Sequence, residues 1–407
     1  MIGALNKVSA FAFAALAIGG VLAGGSIAAE KAPELSNRAQ PACASRNERS
    51  ILATLSGGSK WSLCWDDDNN VGLTLSRVRY ITPDKKSHSV LASASLAQID
   101  VPYDDGKTEH LDLPGFGILT TALKASACPG GKVYKDQRGR PDLCAAITDE
   151  GLRYEWSDYD FGTGNHVAQL ECLSIHTVTP AEWYSYTTLW KFCDDGEIYA
   201  RAGASGTLAP RLVADSTNGM PLGKGQSRYA MSHYHNVFWR LDFGLRGKVP
   251  QPVSQMDVQD DSHGAARSTE LSTPPREFAA KSADSRAWMV TDTTAQNSDG
   301  HHPSYEIMLH NTDPYRGVQG HAYTDNDVFV TEQHSCETLA AKNSGVGCST
   351  SVDQYVNGEL LDHPIVWLQD GFHHVPRDED EPIMDEHWLG FELIPYDQTS
   401  TNQMAGK

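Results

Sequence analysis

The sequence predicts an all-β protein, an antiparallel β-sandwich, and three observations carry that reading. Short runs rich in Val, Ile, Thr and aromatic residues recur along the chain: "HSVLASASLAQIDVPY", "HVAQLECLSIHTVT", "YSYTTLWKF", "EIYARAGASGTL", "YEIMLHN", "NDVFVTEQ" and "PIVWLQDG". Gly, Pro, Asn or Asp bounds each run, as turn chemistry requires between strands. Helical patterning is scarce, which leaves sheet packed on sheet as the way to bury the apolar faces.

The elements follow in chain order. Residues 1–29, "MIGALNKVSAFAFAALAIGGVLAGGSIAA", carry one Lys, a long apolar run and small residues before Glu30. They read as a secretory signal peptide, so a secreted or periplasmic protein is expected, with no membrane contact once the signal is removed. Residues 30–58 form an N-terminal extension that Cys43 would tie down. The main domain is expected over 59–396 and a short tail over 397–407. Within the domain, the Asp-Gly pair of "FCDDGEIY" marks a hairpin. Residues 249–285 are poor in large apolar residues and rich in Ser, Pro, Gln and Asp, and read as a long excursion outside the core. "SCETLAAKN" is the best helix candidate, with Ser335 as its cap and Gly345 as its stop.

Composition narrows the partners. The 407 residues carry a formal charge of −19. A polyanion is a poor ligand for nucleic acid, whose phosphates call for Lys and Arg. All eight cysteines, Cys43, Cys64, Cys128, Cys144, Cys172, Cys193, Cys336 and Cys348, lie beyond the signal. An even count in an exported chain favours disulfides. Pairing of neighbours, 43–64, 128–144, 172–193 and 336–348, closes four short loops, although spacing alone leaves other connectivities open. No CxxC is present, which argues against a thiolate zinc site or a redox dithiol.

The chemistry centres on "SHYHNVFWRLDF", residues 232–243. In a strand, residues two apart share a face, with Cα atoms about 7 Å apart. His233 and His235 can therefore present two imidazoles to one metal ion. The best third ligand is His374 in "GFHHVPRDEDEPIM", between a strand-like run and a turn containing proline. Imidazole suits copper, zinc, iron and nickel alike. A surface or core role for a His-x-His pair is the alternative on spacing alone.

Several motifs in one order resemble the catalytic domain of the copper amine oxidases. "HYHNVFWRLDF" resembles that family's His-x-His strand followed by Arg-Leu-Asp. "HHVPRDEDEPIM" resembles its third-histidine segment, through His374, Arg377, Glu379, Asp380, Pro382 and Met384. "WSLCWDDDNNVGLTLSRVRY", "SLAQIDVPYDD", "LDLPGFG" and "CAAITDEGLRYEWSD" extend the likeness, which covers roughly residues 59–396. The resemblance implies a supersandwich fold, copper held by His233, His235 and His374, and a Cys128–Cys144 disulfide. It places Asp112 as the catalytic base and Tyr103 as a hydrogen-bond partner of a quinone oxygen. His110 stands where members often have an aromatic gate. The smaller domains that precede the catalytic domain in typical members are not expected within these residues.

The family's second cofactor is topaquinone, made from a tyrosine beside copper. Tyr184 takes that place: Trp190, Phe192 and Gly196 fall at the family's offsets from it, and it precedes His233 by 49 residues. Its neighbours depart from the pattern. Trp183 replaces Asn, Ser185 replaces the acid, and Pro180 replaces Thr. Asp242 matches one ligand of the family's peripheral calcium site, but Gly244 and His363 stand where carboxylates belong, so calcium is not expected.

The resemblance implies a primary-amine oxidase that uses O₂ and releases aldehyde, ammonia and hydrogen peroxide, in a family that is usually dimeric. Two other readings stand beside it: a non-enzymatic, copper-binding pseudo-oxidase, and a copper enzyme with unmodified Tyr184. Asp112, flanked by Leu111, Leu113 and Phe116, has the apolar setting that raises a carboxyl pKa toward a base's working range.

Overall fold

Strands of alternating burial build two large antiparallel sheets. In the computed structural model, residues 34–36, 43–45, 47–159, 161–210, 212, 214–245, 251–260, 264, 266–283, 285–310 and 320–405 are described. Residues 1–29, where a signal peptide is expected, lie outside them. No helix of the described residues is long and apolar enough to cross a membrane.

The first sheet runs, in spatial order, Glu34–Ser36, Arg49–Thr54, Lys60–Asp68, Gly72–Ile81, Ser87–Pro102, His233–Phe243, Pro364–His374, Val328–Glu332 and Phe278–Ala280. Glu109–Leu111 pairs with Ser87–Pro102 off this path. The second runs Arg267–Ser272, Val253–Asp260, Ala287–Thr291, Ser304–Leu309, Met384–Tyr396, Ile198–Gly206, Tyr184–Cys193, His166–Ala181, Pro141–Trp156 and Lys132–Lys135. Their inner faces share one core. Trp190 from the second sheet meets Trp239 from the first edge-on at 5.4 Å, and Trp239 meets Phe391 at 5.6 Å. All three are fully buried. Aromatic pairs at such angles gain about 0.5–1.5 kcal/mol beyond the burial of their area.

The four neighbour disulfides are present: Cys43–Cys64, Cys128–Cys144, Cys172–Cys193 and Cys336–Cys348. The segment after residue 30 is no loose leader where it is described. Arg49–Thr54 pairs along its length with Lys60–Asp68.

Two expectations are corrected. "SCETLAAKN" is not a helix; the one α-helix among the described residues is Val352–Tyr355. The segment spends its backbone groups elsewhere. The Ala340 N–H donates to the Ala97 carbonyl, the Ala340 carbonyl accepts from Val352, and the Asn343 amide bridges the Cys336 and Ser349 carbonyls. These bonds replace the helical ladder. The 249–285 stretch is also not a bare excursion. It supplies Val253–Asp260 and Arg267–Ser272, a hairpin at the rim of the second sheet, and Phe278–Ala280 at the rim of the first. Its polar composition reflects that place: every residue of Arg267–Ser272 is exposed.

The fold aims its chemistry at one end of the sandwich. His233–Phe243 lies between Ser87–Pro102 and Pro364–His374, in a register that sets His233 directly opposite His374. Tyr103 bridges to His233 just beyond the strand ends. Across the core, Tyr184 opens its strand, and Tyr186 follows on the same face.

Candidate active site

Three imidazoles and one phenol converge between the sheets. The Tyr184 hydroxyl lies 2.6 Å from His233 Nε2 and 3.1 Å from His374 Nδ1, and those two nitrogens are 3.3 Å apart. The His235 ring is centred 5.0 Å from that of His233 and 4.9 Å from that of Tyr184. All four side chains are buried.

Each imidazole is held by its other nitrogen. His233 Nδ1 faces the Met231 carbonyl at 3.2 Å, so that nitrogen carries the proton and Nε2 keeps its lone pair. His374 Nε2 faces the Asp380 carboxylate at 3.1 Å, which leaves Nδ1 as the lone-pair nitrogen. His235 Nδ1 lies 3.3 Å from the Tyr186 hydroxyl, and its Nε2 has no hydrogen-bond partner among the described residues. Anchoring one nitrogen to orient the other is how proteins prepare imidazole ligands. An orphaned, fully buried ring nitrogen is costly unless something fills the place it faces.

Electrostatics keeps the set neutral. Burial is the main cause that pushes His233 down to about 3, with the His374 ring adding to it. Burial also lowers His235 far and lowers His374, although Asp380 opposes the shift in His374. All three are unprotonated at neutral pH, so their lone pairs are free for a cation. Burial raises the Tyr184 hydroxyl well above the usual phenol range. The donor set therefore fits a divalent transition ion with imidazole ligands, copper among them.

A narrow cleft adjoins this centre. Tyr103, His110, Asp112, Glu182, Trp183 and Tyr184 line it, and its free volume is about 10 Å³, room for about one water. Asp112 keeps part of its surface toward the cleft. Protein packed around it still raises its pKa to about 7, mainly by desolvation. The Tyr186 hydroxyl opposes the rise and the charge of Glu182 adds to it. Tyr103 is buried and stacks on His233 with ring centres 4.5 Å apart.

The structure thus gathers His233, His235, His374, Tyr184, Tyr103 and Asp112 into one region. His373 turns away, with Nε2 at 2.9 Å from Asp104, and the exposed His301 lies near Asp397. His363 sits 2.8 Å from Asp242, an imidazole in the place of a carboxylate. Sequence reasoning missed Tyr186, which touches His235 and Asp112, and the closing position of Trp183. The period-2 rule that pairs His233 with His235 also pairs Tyr184 with Tyr186, so that signal was present.

A second cluster has a different character. Carboxylate oxygens of Asp67, Asp136 and Asp142 lie within 4.8 Å of one another. Two arginines already occupy the space between them: Arg138 binds Asp67 and Asp136, and Arg140 binds Asp67 and Asp142. The cluster is a buried ion network.

Residues 59–406 match the family model described as copper amine oxidase, enzyme domain. The chain belongs to the copper amine oxidase family. It is 25% identical over 395 residues to a primary amine oxidase of Klebsiella aerogenes, covering 82% of this chain and 51% of that protein. It is also 25% identical over 355 residues to a primary amine oxidase of Arthrobacter sp. (strain P1), covering 75% and 53%. The chain spans about half the length of the curated relatives it matches. Among solved structures, a copper-containing benzylamine oxidase from Hansenula polymorpha superposes with a TM-score of 0.72 at 21% identity, over 87% of this chain and 61% of that one. A Pichia pastoris lysyl oxidase gives 0.70 at 13% identity, over 88% and 53%. These two likenesses show the fold.

Proposed function

We propose that the protein is an exported primary-amine oxidase that holds copper through His233, His235 and His374 and carries topaquinone at Tyr184. The observation that carries the reading is the convergence of three neutral, individually anchored imidazoles beside Tyr184: His233 and His374 at its hydroxyl, and His235 against its ring with an orphaned Nε2. When bound, copper and the quinone supply the redox chemistry: the quinone is an electron sink for the amine, and O₂ takes the electrons on.

The chain's own residues do the rest. His233 Nε2, His235 Nε2 and His374 Nδ1 would hold the metal, kept in those tautomers by the Met231 carbonyl, the Tyr186 hydroxyl and Asp380. Asp112 takes the proton from the carbon next to the amine nitrogen. A base is most useful when its pKa lies near the working pH, and its position beside the cleft gives it that value. Tyr103 offers a buried hydroxyl next to Tyr184. The closeness of the cleft excludes bulk water from the reacting carbon. Aldehyde, ammonia and hydrogen peroxide are the products this scheme gives. Export agrees with the four disulfides, which persist in oxidising compartments. A homodimer agrees with the apolar tip between Pro141–Trp156 and His166–Ala181, where Tyr159 is 76% and Phe161 74% exposed, since exposed apolar patches mark contact surfaces.

Peroxide release by the copper-loaded protein with a panel of primary amines tests the reading. Turnover should appear only with copper, and its acid limb should fall near pH 7, because Asp112 must lose its proton to act. Copper-loaded protein that releases no peroxide from any amine would leave the pseudo-oxidase reading in place.

A further inference from the structure

The turn between His166–Ala181 and Tyr184–Cys193 has only two residues, Glu182 and Trp183. Glu182 takes φ +53°, the left-handed region that residues other than glycine usually avoid. The rest of the turn is pinned. The Thr207 N–H donates to the Trp183 carbonyl at 2.9 Å. Gly206 passes so close that a Cβ there would lie 2.3 Å from the same oxygen. The Trp183 backbone is thus fixed, and only side-chain rotation can move its ring.

That ring lines the cleft. Its Nε1–H donates to the Tyr103 hydroxyl at 3.0 Å, and its edge meets the His110 ring at 5.0 Å and 81°. His110 Nδ1 in turn lies 3.6 Å from the Glu182 carboxylate. Asp112 and Tyr184 both line the small space beneath. An amine that reaches both must fit under the indole or displace it. Displacement breaks the bond to Tyr103, and a buried hydroxyl deprived of its donor is disfavoured.

We propose that Trp183 is a specificity-determining lid that restricts the site to small, unbranched aliphatic primary amines, with His110 as its outer wall. The proposal rests on the amine-oxidase reading of the same site. Size follows from the cleft: with free space for about one water, even a one-carbon ammonium must press on the indole to bring its nitrogen near Asp112, and a benzyl group demands far more room.

The test compares the full chain with Trp183→Ala and Trp183→Phe. In the copper-loaded protein, kcat/KM is measured for methylamine, ethylamine and benzylamine by peroxide release. Trp183→Ala should raise the benzylamine-to-methylamine ratio by about 10-fold or more, the scale on which a pocket discriminates size. Trp183→Phe keeps the bulk without the donor and should hold the ratio near its wild-type value. Calorimetry on the full chain with metal chelated gives a readout free of turnover. At about pH 8, Asp112 is ionised, and benzylammonium should bind Trp183→Ala but not the wild type. If alanine unfolds the turn, Trp183→Leu carries the same comparison. Equal benzylammonium binding by wild type and the smaller variant, or an unchanged ratio, overturns the lid. Gain of binding in the variant with no peroxide from any amine supports the lid and removes the oxidase reading instead.

Discussion

Alanine in place of His235 is expected to strip copper from the protein while leaving it folded. His235 is fully buried, and its Nε2 is the one ring nitrogen of the three that has no hydrogen-bond partner among the described residues. Removing a ligand leaves two imidazoles, so affinity should fall by more than about 100-fold, the upper end of what loss of a supporting partner alone costs. His233→Ala and His374→Ala should behave alike, since their nitrogens lie 3.3 Å apart at the same hydroxyl. His373→Ala is the control. It neighbours His374 in sequence but points to the other face of the strand, toward Asp104. Metal analysis of dialysed protein reads the outcome, and full copper in a triple-alanine variant would sink the assignment.

The His-x-His pair was legible because strand alternation is local. The third ligand was legible only as the best of several histidines, His374 between a strand-like run and a Pro-containing turn, and the family likeness then singled it out; the cross-strand register that sets it opposite His233 is a tertiary fact. The sandwich itself was legible from the short β-rich runs and their turn residues. The helix expected at "SCETLAAKN" failed because Asn343 and the Ala340 backbone bind partners far away or across a disulfide loop, and propensity carries no such information. The 249–285 stretch misled because a rim strand with both faces wet lacks apolar alternation. Trp183 could be seen as a departure from the family pattern. That it would cover the cleft depends on a two-residue turn with Glu182 at positive φ, which sequence reading did not anticipate.

Asp112→Asn is the second large effect. Asn is nearly isosteric and keeps some hydrogen bonds, but it cannot accept the substrate proton. Copper binding should persist, since no ligand is touched. Turnover should fall by about 10²-fold or more, the usual worth of a positioned base. Stability gives an independent check with a definite sign. The folded protein holds the Asp112 proton more tightly than the unfolded chain does, because its pKa is raised from 3.8 to about 7. The contribution of this group to stability is therefore full below the unfolded pKa and lost as pH rises through about 7. Asp112→Asn removes the desolvated charge, so it should be more stable than wild type at pH 8 and not at pH 3, by denaturant unfolding. Near-normal turnover by this variant would move the base elsewhere, with His110 the next candidate.

The most direct measurement is made on the Tyr184 peptide. The protein is loaded with copper under anaerobic conditions, exposed to air, treated with phenylhydrazine, digested and analysed by mass spectrometry. A phenylhydrazine adduct on the Tyr184 peptide, absent from Tyr184→Phe, is the predicted result, because the reagent tags a quinone carbonyl and not a phenol. Unmodified Tyr184 in copper-loaded, amine-oxidising protein would contradict the topaquinone account and leave a copper enzyme that works with tyrosine.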